Sequence, residues 1–142
     1  MALTHLLDTS VFCQPIKPRP LPSVIQRWQA LGDDALAVSV LCQAEILYGI
    51  ALKGSARLQA AYEAVLKDRL TVFPVDEAES QTYADMRAAL EKAGKRVPDL
   101  DLLIAATAQT RVRHSFQPVR VDRGLADLAQ SGFRHSVASS SA

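Results

Sequence analysis

Short apolar runs alternate with longer amphipathic stretches along the chain, and that alternation restricts the fold more than any other feature of the sequence. His5-Leu6-Leu7 is a β-like run that ends at Asp8. Leu36-Ala37-Val38-Ser39 and Leu70-Thr71-Val72-Phe73-Pro74-Val75 repeat the pattern, and Pro118 to Val121 is a weaker fourth run. Helical spacings lie between them. Val24, Ile25, Trp28 and Leu31 fall on one face of a segment from Ser23 that Gly32 and Asp33 close. Leu41, Glu45, Tyr48 and Leu52 share a face of the next helix, which Gly54 can end. A helix from about Ala56 to Arg69 would turn Leu58, Tyr62, Val65 and Leu66 inward. Asp76 reads as the cap of a long amphipathic helix to about Ala93, stopped by Gly94. The segment from Leu100 to about Thr110 is apolar on nearly all sides and therefore central, and Leu125 to Leu128 is a short last helix. Pro15, Pro18, Pro20 and Pro22 require a loop or an interrupted helix, because each removes a donor and restricts its predecessor. Strands separated by helices predict an α/β layer fold, with a small, mostly parallel sheet flanked by helices.

The 142 residues contain no internal repeat and no linker, which predicts a single domain over residues 1–135 and a frayed serine- and alanine-rich tail over 136–142. With 49% hydrophobic and 22% charged residues, the chain is neither disordered nor collagen-like nor a disulfide scaffold. The formal net charge of +1 argues against broad, phosphate-driven binding of nucleic acid. It leaves room for a small acidic site that acts on nucleic acid through metal ions. Met1 to Asp8 lacks the basic flank of a signal peptide, and no apolar run approaches the ~18 residues that cross a bilayer. Cys13 and Cys42 are too few and too far apart for a metal pattern or a disulfide framework. Cys42, among Val40, Leu41 and Ile46, reads as a buried free thiol. The expectation is a soluble protein of a reducing cytoplasm, with no membrane contact.

Most of the fifteen acids have ordinary explanations. Asp33 and Asp34 lie in a turn, Asp76, Glu77 and Glu79 sit at the positive end of a helix, and Glu63, Asp68, Asp85 and Glu91 fall on polar faces. Three acids resist such readings. Asp8 follows an apolar run at what would be the carboxyl end of a strand, where open α/β sheets place their ligand crevice. It either caps the next helix or, with Thr9 or Ser10 capping, keeps its carboxylate free. Glu45 shares a stripe with Leu41, Tyr48 and Leu52, so it is either paired or cation-bound on a buried face, or sits at an edge that reaches water. Asp99 and Asp101 open an apolar helix that needs only one cap. Pro98-Asp99 suits Asp99 for that role and leaves Asp101 projecting from the first turn, although capping plus solvation would account for both. Convergent carboxylates without histidine or cysteine suit Mg²⁺ or Mn²⁺ better than Zn²⁺. Such an ion polarises a phosphoryl oxygen and activates water for in-line attack on a phosphodiester.

Three ordered blocks carry a family resemblance: Leu6-Leu7-Asp8-Thr9-Ser10-Val11, Ala44-Glu45-Ile46-Leu47-Tyr48-Gly49, and Asp99-Leu100-Asp101-Leu102-Leu103-Ile104-Ala105-Ala106-Thr107-Ala108. From about residue 3 to residue 110 the chain resembles PIN-domain ribonucleases, and more narrowly the VapC toxins of type II toxin–antitoxin pairs. The resemblance implies a central parallel sheet flanked by helices and a Mg²⁺-dependent endoribonuclease. It makes Asp8, Glu45 and Asp101 the metal-binding, catalytic acids, with Asp99 as a further candidate and Thr9 or Ser10 supporting the metal shell or its water. It also implies a homodimer silenced by a cognate VapB-like antitoxin, for which the helices from Leu41 to Arg69 would form the groove.

Beyond Thr110 the pattern weakens. Arg111-Val112-Arg113-His114-Ser115-Phe116-Gln117-Pro118 is polar where the family has an apolar strand, and a shifted reading frame from about residue 111 would account for the change. The pattern resumes at Val121-Asp122-Arg123-Gly124-Leu125-Ala126-Asp127-Leu128. There Asp127 resembles the family's Asp-Phe acid, Gly124 replaces its Asn or Asp, and Asp122 could substitute as the fourth ligand. Between residues 102 and 134 five arginines face two acids, a balance of +3, whereas residues 76 to 101 carry seven acids and four bases, a balance of −3. Arg111, Arg113, Arg120 and Arg123 are candidates for holding RNA phosphates beside the acidic pocket, against the alternative of ordinary surface charge. Two other functions compete with the toxin ribonuclease. One is a non-catalytic PIN-like module that binds RNA or antitoxin with its fourth ligand degraded. The other is a PIN-like nuclease of RNA maturation or DNA flaps.

Overall fold

A computed structural model describes residues 3–112, and within them a parallel sheet of three strands is surrounded by helices. The strands are β1 (His5–Leu7), β2 (Leu36–Ser39) and β3 (Thr71–Phe73), in the order β1-β2-β3. Leu7 lies opposite Val38, and Ser39 opposite Phe73. All four residues of β2 are fully buried, the expected condition for the middle strand of a parallel sheet covered on both faces. The run expected to extend over 70–75 forms a strand only at Thr71–Phe73; Pro74, without an N–H, cannot extend the ladder. The fourth strand expected at 118–121, the short helix at 125–128 and the tail at 136–142 lie outside the described residues.

The helices are α1 (Thr9–Phe12), α2 (Pro22–Leu31), α3 (Val40–Lys53), α4 (Ala56–Val65), α5 (Glu77–Lys92) and α6 (Asp99–Thr107). The proline-rich stretch resolves into a 3₁₀ turn at Gln14–Ile16, after which Pro22 starts α2 at a position where its missing N–H is harmless. Ser39 ends β2 and caps α3 by accepting from Leu41 N, so strand and helix meet without a loop. Gly54 closes α3 with φ +61°, a left-handed conformation that other residues adopt at a cost. α4 stops at Val65 rather than Arg69: Leu66 N and Lys67 N both donate to Tyr62 O, and Asp68 turns left-handed at φ 60°.

Leu7, Phe12, Trp28, Leu36, Val38 and Leu66 anchor the core around the sheet, each worth roughly 1.5–3 kcal/mol or more of burial. Cys42, Ile46 and Ile50 are the α3 side chains that join it. The face of α3 expected to be buried is therefore rotated by one residue. Tyr48 and Leu52 are 68% and 72% exposed. The correction follows from β2, whose short link to α3 presents Cys42 to the sheet (its thiol reaches Leu7 O at 3.7 Å). α6 begins at Asp99, has Pro98 at its cap position, and passes at Ala108 into a π turn that ends at Val112. No helix of the described residues is long and apolar enough to cross a membrane.

Candidate active site

β1 and β2 run parallel, so their carboxyl ends open on the same edge of the sheet. Asp8 follows β1 directly and, one step beyond the Leu7–Val38 pair, stands alongside Ser39. Its carboxylate is divided between two roles. Oδ1 accepts from Val11 N at 3.0 Å and from Ser10 Oγ at 2.8 Å, which makes Asp8 itself the cap of α1. Oδ2 has no hydrogen-bond partner among the described residues. The expected choice between capping and a free carboxylate is thus settled oxygen by oxygen, and Ser10 orients Asp8 rather than replacing it.

Thr9 does not cap either. Its hydroxyl donates to Glu45 Oε1 at 3.0 Å and ties the β1–α1 junction to α3. Glu45 is half-buried at the margin between the buried Cys42–Ile46 stripe and solvent. Beside them burial raises the Cys42 thiol to about 11, with the carboxylates of Glu45 and Asp8 adding to the shift and a hydrogen bond with Thr9 opposing it.

Asp101 projects from the first turn of α6, as expected, and is half-buried. Its pKa is raised, first by desolvation and then by the negative charge of Asp8. Asp99 behaves differently from expectation. It is the first residue of α6 and not its cap, and its carboxylate takes bonds from Tyr83 Oη (2.8 Å) and Arg87 Nη1 (2.6 Å). Asp99 thus serves the α5–α6 contact.

Arg111, expected to be a phosphate contact, is engaged within the protein. Its Nε donates to Glu79 Oε1 at 2.6 Å and its Nη2 to Asp76 Oδ2, and these bonds raise its already high pKa. Glu79 escaped the sequence reasoning because a first-turn acid is explained by the helix end. The Asp76-x-x-Glu79 spacing did signal the capping box that forms, but not the complete burial of Glu79. Asp122, Asp127, Arg113, Arg120 and Arg123 lie outside the described residues.

Thr9 thus ties the Asp8 junction to Glu45, and Asp101 feels the negative charge of Asp8. Among the described residues no group of three or more His, Cys, Asp or Glu side chains is arranged to hold a metal ion, so the acids do not form a closed cage. The donor chemistry still fits a hard divalent cation: the candidate donors are oxygens, one oxygen of Asp8 has no partner among the described residues, and Asp101 is penalised when charged by desolvation and by the like charge of Asp8, which a cation would offset. Mg²⁺ commonly takes one or two carboxylates and completes its shell with water and substrate phosphate.

The model of the PIN domain matches residues 5–130. The chain belongs to the PIN-domain family. The match runs past Thr110, further than the resemblance of the separate blocks. Toxin FitB of Neisseria gonorrhoeae is 31% identical over 137 residues, covering 87% of this chain and 94% of the relative. The crystal structure of FitAcB from that organism superposes with a TM-score of 0.68 at 27% identity, covering 88% of this chain and 92% of the other. Ribonuclease VapC5 of Mycobacterium tuberculosis is 32% identical over 108 residues, covering 75% of this chain and 76% of the relative. VapBC2 from Rickettsia felis, solved with a DNA fragment from its promoter, gives a TM-score of 0.65 at 27% identity, covering 72% and 78%. The three-stranded parallel sheet flanked by helices is the PIN-like arrangement expected, and VapC-type PIN ribonucleases generally depend on a divalent metal.

Proposed function

We propose that this PIN-domain protein is the toxin of a type II toxin–antitoxin pair, an endoribonuclease that hydrolyses RNA phosphodiesters with Mg²⁺, or Mn²⁺ in its place, in the cytoplasm. The observation that supports it most directly is the hydrogen bond from Thr9, the neighbour of Asp8, to Glu45, which ties two of the acidic blocks together at the carboxyl end of the parallel strands. The toxin and ribonuclease names of its relatives support the same reading. Asp8, Asp101 and Glu45 would hold the ion, whose contribution when bound is to polarise the scissile phosphate and acidify a water.

The chain's own residues prepare that site. Val11 N and Ser10 Oγ fix the Asp8 carboxylate through one oxygen and leave the other without a partner among the described residues, and Thr9 fixes Glu45. Asp101 must lose its proton to act as a ligand, and its desolvated setting delays that loss to higher pH. The working unit is one PIN domain over residues 1–135, with 136–142 as a tail. Acidic fourth-ligand candidates are Asp122 and Asp127, and phosphate contacts fall to Arg113, Arg120 and Arg123. A VapB-like antitoxin and a second copy of the chain are its protein partners. The α3–α4 surface, where Tyr48 and Leu52 stand exposed, suits the antitoxin.

The test is cleavage of several structured RNAs by protein purified free of antitoxin, with Mg²⁺ or with chelator, for wild type, Asp8→Asn and Asp101→Asn. Metal-dependent cutting lost in both variants is the expected result. No cutting by the wild type on any RNA refutes the ribonuclease and favours a non-catalytic binding module.

A further inference from the structure

Glu79, Tyr83 and Arg87 recur every four residues and therefore share one face of α5. Each of them reaches α6 or the π turn that continues it. Glu79 Oε1 accepts from Arg111 Nε at 2.6 Å and from Thr110 Oγ1 at 3.0 Å, at the carboxyl end of that segment. Tyr83 Oη and Arg87 Nη1 donate to Asp99 at its amino end. The two helices run antiparallel under a polar ladder, tied at both ends.

Two features show what the ladder controls. First, α6 receives no side-chain cap, so its amino end is located by tertiary ties alone. Asp101 sits in that first turn, two residues from the tied Asp99. Second, Glu79 is completely buried, and a buried carboxylate holds its place only with its partners. Its other oxygen accepts from Asp76 N at 3.0 Å, which binds the α5 cap into the same knot. The π turn at Ala108–Val112 widens the last turn, carries Arg111 to Glu79 and buries Val112. A slide of α6 along its axis would break both ties and shift Asp101 relative to Asp8.

We propose that Glu79 and Arg111 are positioning residues: their ion pair fixes the axial register of α6 and thereby sets the Asp101 carboxylate opposite Asp8. This rests on the reading of Asp8 and Asp101 as ligands of a divalent ion. It also assigns Arg111 an internal role in place of RNA contact.

The test compares wild type, Glu79→Gln, Arg111→Ala, Arg111→Lys and Arg87→Ala, all full chain, at a temperature where circular dichroism shows each folded. Asp33→Asn serves as a destabilised control, because Asp33 precedes β2 at the sheet edge away from Asp8. Mn²⁺ binding is read by electron paramagnetic resonance, and RNA cleavage by kcat and KM. Glu79→Gln and Arg111→Ala should weaken Mn²⁺ binding about 10–100-fold and lower kcat with little change in the RNA KM. Arg111→Lys should recover part of the loss, Arg87→Ala should show a smaller loss, and Asp33→Asn should leave both readouts unchanged. Wild-type Mn²⁺ affinity and kcat in Glu79→Gln, whatever its melting temperature, would overturn the proposal. If Glu79→Gln does not fold, unchanged values in both Arg111→Ala and Arg87→Ala overturn it instead. A wild type that binds Mn²⁺ but cuts no RNA removes the ribonuclease reading alone, and the Mn²⁺ comparison still decides the positioning role. A wild type that binds no Mn²⁺ removes both.

Discussion

Replacing Asp8 with asparagine and with alanine separates the two roles of its carboxylate. Oδ1 caps α1 through Val11 N at 3.0 Å and holds Ser10 Oγ at 2.8 Å. Asparagine keeps an oxygen acceptor and caps helices about as well as aspartate, whereas alanine provides none. Val11 is 1% exposed, so water cannot readily replace the lost acceptor. Loss of the cap should therefore cost about 1–2 kcal/mol, the upper part of the usual range. For a domain of this size that lowers the melting temperature by roughly 3–8 °C. Asparagine also removes the charge that opposes ionisation of Asp101, so metal-free Asp8→Asn should melt at or above the wild-type temperature. Both variants lack the charged ligand and should lose at least roughly 10²-fold in metal-dependent cleavage. The assay is thermal unfolding followed by circular dichroism at pH 7 with chelator, beside gel-resolved RNA cleavage with Mg²⁺. If Asp8→Asn melts as low as Asp8→Ala, the cap is not carried by Oδ1 and the division of labour is wrong. If Asp8→Asn cuts RNA like wild type, Asp8 is not a ligand.

Asp101, raised above its ordinary pKa, is penalised when charged, so its unfavourable contribution is complete above its folded pKa and vanishes below the unfolded value near 3.8. Metal-free Asp101→Asn should accordingly be more stable than wild type at pH 7 and equal to it near pH 3; no gain at pH 7 in denaturant titrations refutes the desolvated carboxylate. The acid limb of the cleavage profile should lie above the ordinary aspartate range, and a limb near pH 4 would count against Asp101 as a ligand. Asp33 accepts Trp28 Nε1 at 2.7 Å and Arg69 Nε at 3.0 Å, and these bonds outweigh burial to lower its pKa. Asp33→Ala strands a buried indole N–H and should cost about 1–3 kcal/mol in urea unfolding, while Asp33→Asn, which retains an acceptor, should cost less. Wild-type stability of Asp33→Ala would show that the staple contributes nothing. Tyr48→Asp combined with Leu52→Asp should leave the melting temperature within about 2 °C, since both side chains are exposed, yet weaken antitoxin binding at least roughly tenfold by calorimetry. Unchanged affinity moves the antitoxin off α3.

The sheet and most helix limits were legible because they follow from local rules. β2 is a continuous apolar run, Gly54 ends α3, and Asp76 with Glu79 marks the start of α5. The acids Asp8, Glu45 and Asp101 stood out for the same reason: each occupied a position where a local explanation was incomplete. The inward face of α3 was misread by one residue because Leu41, Tyr48 and Leu52 keep helical spacing as faithfully as Cys42, Ile46 and Ile50 do. Periodicity cannot choose between two apolar stripes on one helix; the junction with β2 chooses. The internal partners of Asp99 and Arg111 went unseen through a related gap. Their partners, Tyr83 with Arg87 and Glu79 with Asp76, belong to another helix, and pairing across helices leaves no mark in the spacing of either.

Net charge illustrates the difference between a sum and a placement. The +1 total conceals an acidic stretch at residues 76–101 and a basic one at 102–134, which suggests a metal pocket beside a phosphate track. The structure cancels part of that division internally. Glu79 and Asp76 from the acidic stretch meet Arg111 from the basic one, and Asp99 meets Arg87. Among the described residues Asp101 has no such partner, and the charge it feels there is that of Asp8. An acid that has no arginine paired with it among the described residues and is repelled by another acid is the one that benefits from a cation. The same argument moves the search for RNA contacts away from Arg111, whose guanidinium already pairs with two carboxylates, and onto arginines that follow it. Arg111→Ala should therefore reduce cleavage through kcat and metal affinity while leaving the salt dependence of RNA binding unchanged. A loss of about one unit in the salt slope would return Arg111 to the RNA interface.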